Sequence, residues 1–417
     1  MKTGKAADAA IRTGYRYGRR GAMALVMGGV LLLTAACNDD KGGGSADAAA
    51  TAPADANGTA APGGGAASPK ASAAVLAVEP KDGAQDVAPN ALKVSVSNGK
   101  LTTVEVTDKN GKPVEGAITP DGSGWKPSGA LAVGMAYKVN AQAKDDAGLV
   151  SASTTTFTTL TPGKTVATND NISDGATYGV GMIVSVNFSK DVKNKDAVLK
   201  GITFETSNGT AVKGHWFGDR RVDFRPEQYW APGTKVTIKY RLKSVEVAPG
   251  VYGDVDKDEP FTVGRSMIST ADAKTHQMTI ERDGKSTTVP VTLGADATPS
   301  WGGTMVIMEK EKVTRMNSQT VGLGGEYDIQ DVPHAMRLTT SGTFVHGNYW
   351  ANPFGKTNAS HGCVSMQDVK GGSDASVAGK FFNDSMVGDV VKIVNTKEKT
   401  VSPSNGLGGW NVSWANW

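Results

Sequence analysis

Cys363 is one of only two cysteines in this chain of 417 residues, and it lies in the run Ser360-His361-Gly362-Cys363-Val364. A cysteine becomes a strong nucleophile when a neighbouring base removes the thiol proton. Gly362 lets the backbone approach a substrate closely, and successive N–H groups at such a bend can stabilise an oxyanion. The small polar residues Ser360 and Asn358 can brace the bend through hydrogen bonds to the main chain. This pattern indicates a nucleophilic cysteine site.

Two histidines are candidate bases for this cysteine. His361 lies two residues before Cys363, and His346 ends the apolar segment 343–345, just before Gly347. If the segment that ends at His346 pairs as a β-strand with the segment that follows Cys363, the imidazole lies beside the thiol. The imidazole can then take the thiol proton, and the thiolate can attack an amide or ester carbonyl. Burial alone would raise the thiol pKa, so a working nucleophile needs this base or a positive charge nearby.

The pairing of His346-Gly347 with the later Ser-His-Gly-Cys motif resembles the signature of the L,D-transpeptidase (YkuD-type) catalytic domain. The similarity extends from about Met267 to Asn395, and the order of domains resembles that of actinobacterial lipoproteins with two immunoglobulin-like domains. The resemblance implies that Cys363 is the acylated nucleophile and His346 the general base, with the main-chain carbonyl of Gly347 orienting the imidazole. His361 and Gly362 belong to the motif, and the N–H groups near Gly362 and Cys363 would form the oxyanion hole.

The same resemblance suggests how the substrate binds. Tyr327 is expected to help bind the acyl donor, and Ser360 and Asn358 are included among the substrate-binding positions. Trp350 lies in the loop between the two halves of the motif, which is rich in aromatic residues, glycine and proline. We interpret this loop either as a lid over the site or as an ordinary packed loop.

The implied reaction is a ping-pong acyl transfer on peptidoglycan. Cys363 would attack the amide between the diamino acid and the terminal D-Ala of a tetrapeptide stem, so that D-Ala leaves. The amine of a second stem would then capture the thioester and form a 3→3 cross-link. The imidazole and the oxyanion hole supply the chemistry, so no metal or organic cofactor is expected. The resemblance also implies that carbapenems acylate the enzyme.

Three other interpretations of the same residues are possible. A zinc hydrolase could use His346, His361 and Cys363, with His334 as a further ligand. A papain-like protease fits less well, because in that family the cysteine precedes the histidine by a long interval and here the order is reversed. A non-catalytic lipoprotein that binds the cell wall would suit the β-rich modules, but it leaves the motif around Cys363 unexplained.

The N-terminus has the pattern of an exported lipoprotein. Residues 1–36 read as a signal peptide, with basic residues followed by the apolar stretch from Ala22 to Ala36. Small residues lead directly into Cys37, which resembles a bacterial lipobox and predicts a lipidated Cys37 on the outer face of the cytoplasmic membrane. A plain secretory signal with an incidental cysteine is the alternative. The pair Arg19-Arg20 is also a feature of twin-arginine export signals, although the residues around this pair match such a signal poorly.

Residues 37–74 are mostly Ala, Gly, Pro, Ser and Asp, so they bury too little apolar surface to order the chain. As a flexible tether this segment would span on the order of 35 Å. The net charge of the whole chain is only +3, with acids and bases interleaved. The charges therefore form no basic stripe, and nothing in the charge pattern points to a nucleic-acid partner.

The rest of the chain predicts a mainly β fold. Residues 75–162 and 163–265 share a register of aromatic, proline and glycine positions, which indicates two tandem immunoglobulin-like β-sandwiches. Residues 266–397 form the predicted β-rich catalytic domain, with a hairpin turn at Asp283-Gly284 and one short helix over 373–383. The tail 398–417 carries three tryptophans, expected to pack on the catalytic domain or on its junction with the second module. A platform for stacking glycans is the alternative for these tail tryptophans.

The register shared by the two immunoglobulin-like modules consists of Trp125, Pro127, Leu131, Gly134, Tyr137 and Val139 in the first module, and Phe224, Pro226, Trp230, Gly233, Val236 and Ile238 in the second.

Overall fold

The computed structural model describes residues 70–321 and 324–417. The predictions for the signal peptide, Cys37 and most of the tether therefore lie outside the described residues. Within the described part of the chain, no helix has both the length and the apolar character needed to cross a bilayer.

The first module is a sandwich of two four-stranded sheets, in the orders β1-β3-β6-β5 and β2-β8-β7-β4. Trp125, Tyr137 and Phe157 are buried between these sheets, and the Tyr137 and Phe157 rings stack at a centroid distance of 5.6 Å. Alternation of buried and exposed residues along β7 shows why this strand has one face in the core. The strands are β1 Val75–Glu79, β2 Ala84–Val87, β3 Lys93–Ser97, β4 Lys100–Asp108, β5 Gly116–Ile118, β6 Gly124–Pro127, β7 Ala136–Lys144 and β8 Val150–Thr159.

The second module repeats this architecture with two four-stranded sheets and a smaller three-stranded one. The sheet orders are β10-β12-β15-β14, β11-β19-β16-β13 and β17-β18-β9. It also contains a short helix, α1, that the sequence did not predict. The elements are β9 Thr165–Val166, β10 Thr168–Asp170, β11 Thr177–Tyr178, β12 Val184–Phe188, α1 Lys195–Gly201, β13 Ile202–Thr206, β14 Lys213–Phe217, β15 Arg221–Arg225, β16 Lys235–Arg241, β17 Glu246–Ala248, β18 Val251–Gly253 and β19 Asp256–Val263.

The repeated register marks equivalent positions in the two modules. Gly134 and Gly233 both adopt positive φ, at 63° and 80°, in the turn before a central strand. The apolar positions of the register are buried in both modules. The prediction of tandem immunoglobulin-like sandwiches within a mainly β chain is confirmed.

The predicted catalytic domain is built from two sheets packed around one core. One sheet has the order β22-β21-β20-β28-β23 and the other β24-β25-β26-β27. The predicted hairpin forms, and its turn residues Asp283 and Gly284 have φ of 48° and 77°, as a type I′ turn requires. The elements are β20 Met267–Asp272, β21 Gln277–Arg282, β22 Lys285–Pro290, β23 Gly303–Val306, β24 Glu309–Asn317, β25 Asp328–Arg337, β26 Phe344–Asn348, β27 Val364–Gln367, α2 Val377–Asp384 and β28 Val390–Val394.

The single α-helix of this domain, α2, begins later than the sequence suggested. Ser376 is its N-cap, and the Ser376 side chain accepts a hydrogen bond from the Gly379 N–H. Phe381 and Phe382 are buried in the core beneath the sheets. This packing gives β26 and β27 a rigid support, which matters because these two strands hold the site.

The C-terminal tail joins the catalytic domain to the second module, and its indoles contact the module. The Trp410 and Trp417 side chains donate hydrogen bonds to the carbonyls of Gly181 and Lys213, at 2.7 and 2.8 Å. The Arg225 guanidinium lies over the rings of all three tail tryptophans. On the catalytic side, the Asn411 side chain bonds Thr304. Of the two positions predicted for the tail, the structure shows the junction with the second module, where the buried Arg225 offers a cation for the indoles to stack on.

Replacing Trp417 with Ala is expected to destabilise the second module. The Trp417 ring is 3% exposed, stacks on His215 at 5.0 Å and covers Arg225. Loss of such a side chain costs about 3–5 kcal/mol, through lost apolar burial and the space left behind. Thermal unfolding of the full chain measures the effect, with Val150→Ala as control because Val150 is 53% exposed in the first module. An unfolding midpoint equal to that of the control would contradict this docking.

Candidate active site

The two halves of the cysteine–histidine motif lie on neighbouring parallel strands. On β26 and β27, Val345 pairs with Val364 and His346 pairs with Ser365. Cys363 immediately precedes β27, two residues before Ser365, so Cys363, Ser365 and His346 share one face of the sheet. The strand pairing that the sequence predicted is therefore present, and it brings the imidazole and the thiol to one cavity.

His346 is buried, and both of its ring nitrogens have partners. Nδ1 lies 2.8 Å from the main-chain oxygen of Gly347, and Nε2 lies 3.1 Å from Oγ of Ser365. Because a carbonyl can only accept, Nδ1 carries the proton in the neutral ring and Nε2 carries the lone pair that accepts a hydrogen bond. Burial lowers the pKa of His346 to about 4, although the Gly347 carbonyl opposes the change. The imidazole is thus neutral at pH 7 and oriented as a base.

Gly347 is glycine for a steric reason. A Cβ atom at this position would lie 2.3 Å from Oδ2 of Asp368, a contact that real structures do not show. Asp368 is itself fixed, because Oδ2 lies 2.6 Å from Nδ1 of His334. The backbone of Gly347, whose carbonyl orients His346, therefore packs against Asp368 of a buried His334–Asp368 pair that the sequence did not predict.

Cys363 is 8% exposed and packs in a small cluster that includes Met316 and Phe344. Its sulfur lies 3.8 Å from the main-chain oxygen of Gly342. Burial raises the pKa of the thiol to about 11, while the Phe344 N–H and the Arg337 guanidinium act in the opposite direction. The resting site therefore holds a neutral thiol beside a neutral imidazole, and the proton must move during the attack.

The bend before the cysteine has the bracing that the sequence suggested. Gly362 has a φ of +110°, which favours glycine over residues with a Cβ atom. Oγ of Ser360 donates to the main-chain oxygen of Cys363 at 2.6 Å and accepts from the N–H of Gly362 at 3.2 Å. That N–H, one of the two predicted oxyanion donors, is thus engaged by a side chain in this structure.

Asn358 does not line the cavity. Its side chain accepts from the N–H of Leu293 at 3.2 Å and donates to the carbonyl of Ala273 at 2.8 Å. These bonds tie the motif loop to neighbouring main chain. Both ends of the Asn358 amide thus have main-chain partners in this structure, as the expected bracing requires, and its contact with substrate stays a prediction.

The thiol and the imidazole open into a cavity of about 340 Å³. Tyr327 lies in its wall, and burial raises the pKa of Tyr327 to about 12, with a further contribution from the nearby Cys363. Trp350 is 42% exposed at the rim and stacks nearly parallel over His346, with a centroid distance of 5.9 Å and an angle of 16°. The lining residues are Met316, Tyr327, Ile329, His346, Asn348, Trp350, Ala351, Pro353, Ala359, Ser360, His361, Cys363 and Ser365.

The remaining motif histidine faces the outer part of the cavity. Nε2 of His361 lies 3.4 Å from a carboxylate oxygen of Glu326, and the His361 ring packs on Tyr327 at 5.1 Å. His334, the further zinc ligand of the alternative interpretation, is engaged with Asp368. Over residues 70–321 and 324–417, no group of three or more His, Cys, Asp or Glu side chains is arranged to hold a metal ion.

Two polar residues of the site were missed by the sequence reasoning. Ser365 is 1% exposed and bonds the imidazole, and Asn348 is buried and accepts from the N–H of Trp350 at 3.0 Å. The signal for Ser365 was its position two residues after Cys363 in a strand, which places both side chains on one face. Asn348 follows His346 by the same interval.

Comparison with known proteins agrees with this arrangement. A bacterial Ig domain model matches residues 84–246, and a YkuD model, described as an L,D-transpeptidase catalytic domain, matches residues 247–393. L,D-transpeptidase 2 of Mycobacterium tuberculosis is 32% identical over 344 residues, which cover 81% of this chain and 82% of that protein. The chain belongs to the L,D-transpeptidase family. It is an enzyme that acts on peptidoglycan.

Further relatives of this L,D-transpeptidase include L,D-transpeptidase 5 of Mycobacterium tuberculosis, 26% identical over 82% of this chain and 76% of that protein. Among solved structures, an LD transpeptidase in complex with imipenem is 29% identical, with a TM-score of 0.47, and the match covers 56% of this chain and all of the other. The match to the catalytic model starts at residue 247. In the structure, however, β19 pairs with β16 and β11 of the second module.

The protonation state of the Cys363 thiol in this L,D-transpeptidase can be tested by alkylation. A thiol with a pKa near 11 is almost fully protonated at pH 7, so the thiolate fraction rises about tenfold per pH unit. Alkylation of Cys363 by iodoacetamide, mapped by peptide mass spectrometry in a Cys37→Ser background, is expected to accelerate from pH 7 to pH 9 without a plateau. A rate that is already constant between pH 6 and pH 8 would indicate a resting thiolate and contradict this prediction.

Proposed function

We propose that this L,D-transpeptidase forms 3→3 cross-links between peptidoglycan stem peptides through a thioester on Cys363. The single observation that supports it is the oriented imidazole of His346, whose Nδ1 is held by the Gly347 carbonyl and whose side chain lines the same cavity as the Cys363 thiol. A neutral base beside a neutral thiol is suited to attack on an amide carbonyl, because the proton transfers as the sulfur–carbon bond forms.

Every bond and proton in the proposed reaction comes from groups of the chain or of its two substrates. The sulfur of Cys363 bonds to the carbonyl carbon of the diamino acid, and the thiol proton passes to His346. His346 then gives that proton to the departing amine, so that D-Ala leaves as the carbon–nitrogen bond breaks. An amine of a second stem then attacks the thioester carbonyl, the carbon–sulfur bond breaks as the new carbon–nitrogen bond forms, and the proton lost by that amine passes through His346 to the sulfur.

The size and lining of the cavity support a peptide substrate. A volume of about 340 Å³ lies within the range of small-molecule sites, and its walls are mostly apolar with a few polar groups. In our proposal Tyr327 and Trp350 contact the donor stem, and Ser360 keeps the bend at Cys363 in shape. Carbapenems would react at the same sulfur, since the β-lactam carbonyl stands in for the stem amide.

The test of the function is a comparison of two donors. The purified full chain, given a disaccharide tetrapeptide as donor and acceptor, is expected to release D-Ala and to form a dimer whose fragmentation places the cross-link between two diamino acids. The matching pentapeptide ending in D-Ala-D-Ala serves as control, because its terminal bond joins two D-residues. Release of D-Ala from the pentapeptide alone, with the tetrapeptide unchanged, would contradict the proposal.

We also propose that Cys37 carries a lipid and holds the enzyme on the outer face of the cytoplasmic membrane. The support is the sequence, in which a basic N-terminus and an uncharged apolar stretch lead directly into Cys37. Acyl chains on this residue would anchor the protein without a spanning helix. Membrane fractionation of wild type and Cys37→Ser tests the idea, and a variant that remains in the membrane fraction would contradict it.

A further inference from the structure

The hydroxyl of Ser365 is hydrogen-bonded to Nε2 of His346, the nitrogen that must act as the base. Oγ of Ser365 lies 3.1 Å from Nε2 of His346, and both side chains are buried, at 1% and 5% exposed. Because Nδ1 of His346 donates to Gly347, Nε2 can only accept, so the Ser365 hydroxyl is the donor. This assignment follows from the hydrogen-bond partners.

The same hydroxyl has lone pairs left to accept a proton. A serine hydroxyl donates one hydrogen bond and can accept two, so Oγ can receive from one group while giving to another. Cys363 lies two residues earlier on the same face of the sheet, and its thiol and the Ser365 side chain both line the cavity. Among the described residues, no hydrogen bond joins the sulfur directly to the imidazole. The sulfur instead lies 3.8 Å from the carbonyl of Gly342.

We propose that Ser365 is a catalytic residue that relays the proton between Cys363 and His346. This inference rests on the proposed roles of those two residues. When the thiol turns from the Gly342 carbonyl toward the hydroxyl, Oγ accepts the thiol proton and passes its own proton to Nε2. The sulfur then forms its bond to the carbonyl carbon, and the proton on Nε2 later returns to the departing amine. Each group ends the cycle in its starting state.

The proposal explains why a buried serine stands opposite the base in a site lined mostly by apolar groups. A hydroxyl that only filled space would be replaced by Ala with little effect on the reaction. A relay, in contrast, moves two protons in the same step, one from sulfur to oxygen and one from oxygen to nitrogen. The number of protons in flight is therefore the property that separates a relay from a packing role.

The test compares Ser365→Ala and Ser365→Thr in the full chain. Ala removes the hydroxyl and Thr retains it, with a side chain that strands accommodate well. The rate of Cys363 acylation by imipenem is expected to fall on the order of 10²-fold in Ser365→Ala and to recover in Ser365→Thr. In mixtures of H₂O and D₂O, the wild-type rate should depend on the deuterium fraction with curvature, whereas the Ser365→Ala rate should depend on it linearly.

Outcomes that overturn the relay are equally direct. A Ser365→Ala rate equal to or above that of wild type would show that the hydroxyl is dispensable or holds the base back. The same linear dependence on deuterium in both proteins would exclude a second moving proton. The wild-type adduct, mapped to its residue, keeps this test separate from that of the proposed function. An adduct away from Cys363 rejects the proposed function, whereas an adduct on Cys363 formed at an unchanged rate in Ser365→Ala rejects the relay alone.

Discussion

Replacing Cys363 with Ala is expected to abolish acylation by imipenem and all formation of cross-links. The thiol is the nucleophile in the proposed mechanism, and a methyl group cannot bond to the carbonyl carbon. In wild type, opening of the β-lactam ring retains the whole molecule, so the intact mass should rise by the mass of the carbapenem. Intact-protein mass spectrometry followed by peptide mapping measures both the amount of adduct and its position.

The second cysteine of the chain supplies the matched control for this experiment. Cys37→Ser removes the other thiol and is expected to acylate at the wild-type rate, with the adduct on Cys363. Cys363→Ala should keep its fold. The substitution removes only the sulfur atom, so the cavity that it leaves in the cluster around Met316 and Phe344 is small. An adduct that forms in Cys363→Ala at the wild-type rate would sink the assignment of the nucleophile.

The motif residues could be predicted because their chemistry is local. The bend at Gly362 depends on its own φ and on Ser360, two residues away. The Gly347 carbonyl that holds the imidazole belongs to the residue next to His346. Short-range constraints of this kind are visible in a sequence, as is the hairpin turn at Asp283-Gly284.

Contacts between distant segments could not be predicted in the same way. Ser365 meets His346 only because two strands separated by a loop pair in one particular register. A shift of one residue would turn Ser365 to the other face of the sheet. Asn358 lies close to the motif in sequence, yet its amide bonds Leu293 and Ala273, more than sixty residues away. Nothing local distinguishes such an amide from one that faces the substrate.

The tail illustrates the same limit at the level of domains. Three tryptophans near the end of the chain indicate burial, but not the surface that buries them. That surface is set by Arg225, which lies almost two hundred residues earlier and donates to the carbonyl of Val412 at 2.7 Å. The sequence therefore did not show which residues of the second module the tail packs on, because an arginine in a strand carries no distinctive pattern.

Replacing His346 with Gln is expected to lower the rate of Cys363 acylation by about 10²–10⁴-fold while imipenem remains able to enter the cavity. Gln preserves much of the side-chain volume but cannot take a proton from the thiol at neutral pH. Stopped-flow measurement of acylation, together with a thermal unfolding curve, separates loss of the base from loss of the fold. His276→Asn is a suitable control, since His276 has a φ of +59° that Asn tolerates and does not line the cavity.

The pH dependence of the acylation rate tests whether His346 is the base that takes the thiol proton. Since burial lowers its pKa to about 4, the imidazole remains an unprotonated base down to nearly pH 5. The wild-type rate should therefore lose its contribution from this base only as pH falls through about 4, and that acid limb should be absent in His346→Gln. A wild-type rate that halves near pH 6.5 would mean that the base is an ordinary solvated histidine.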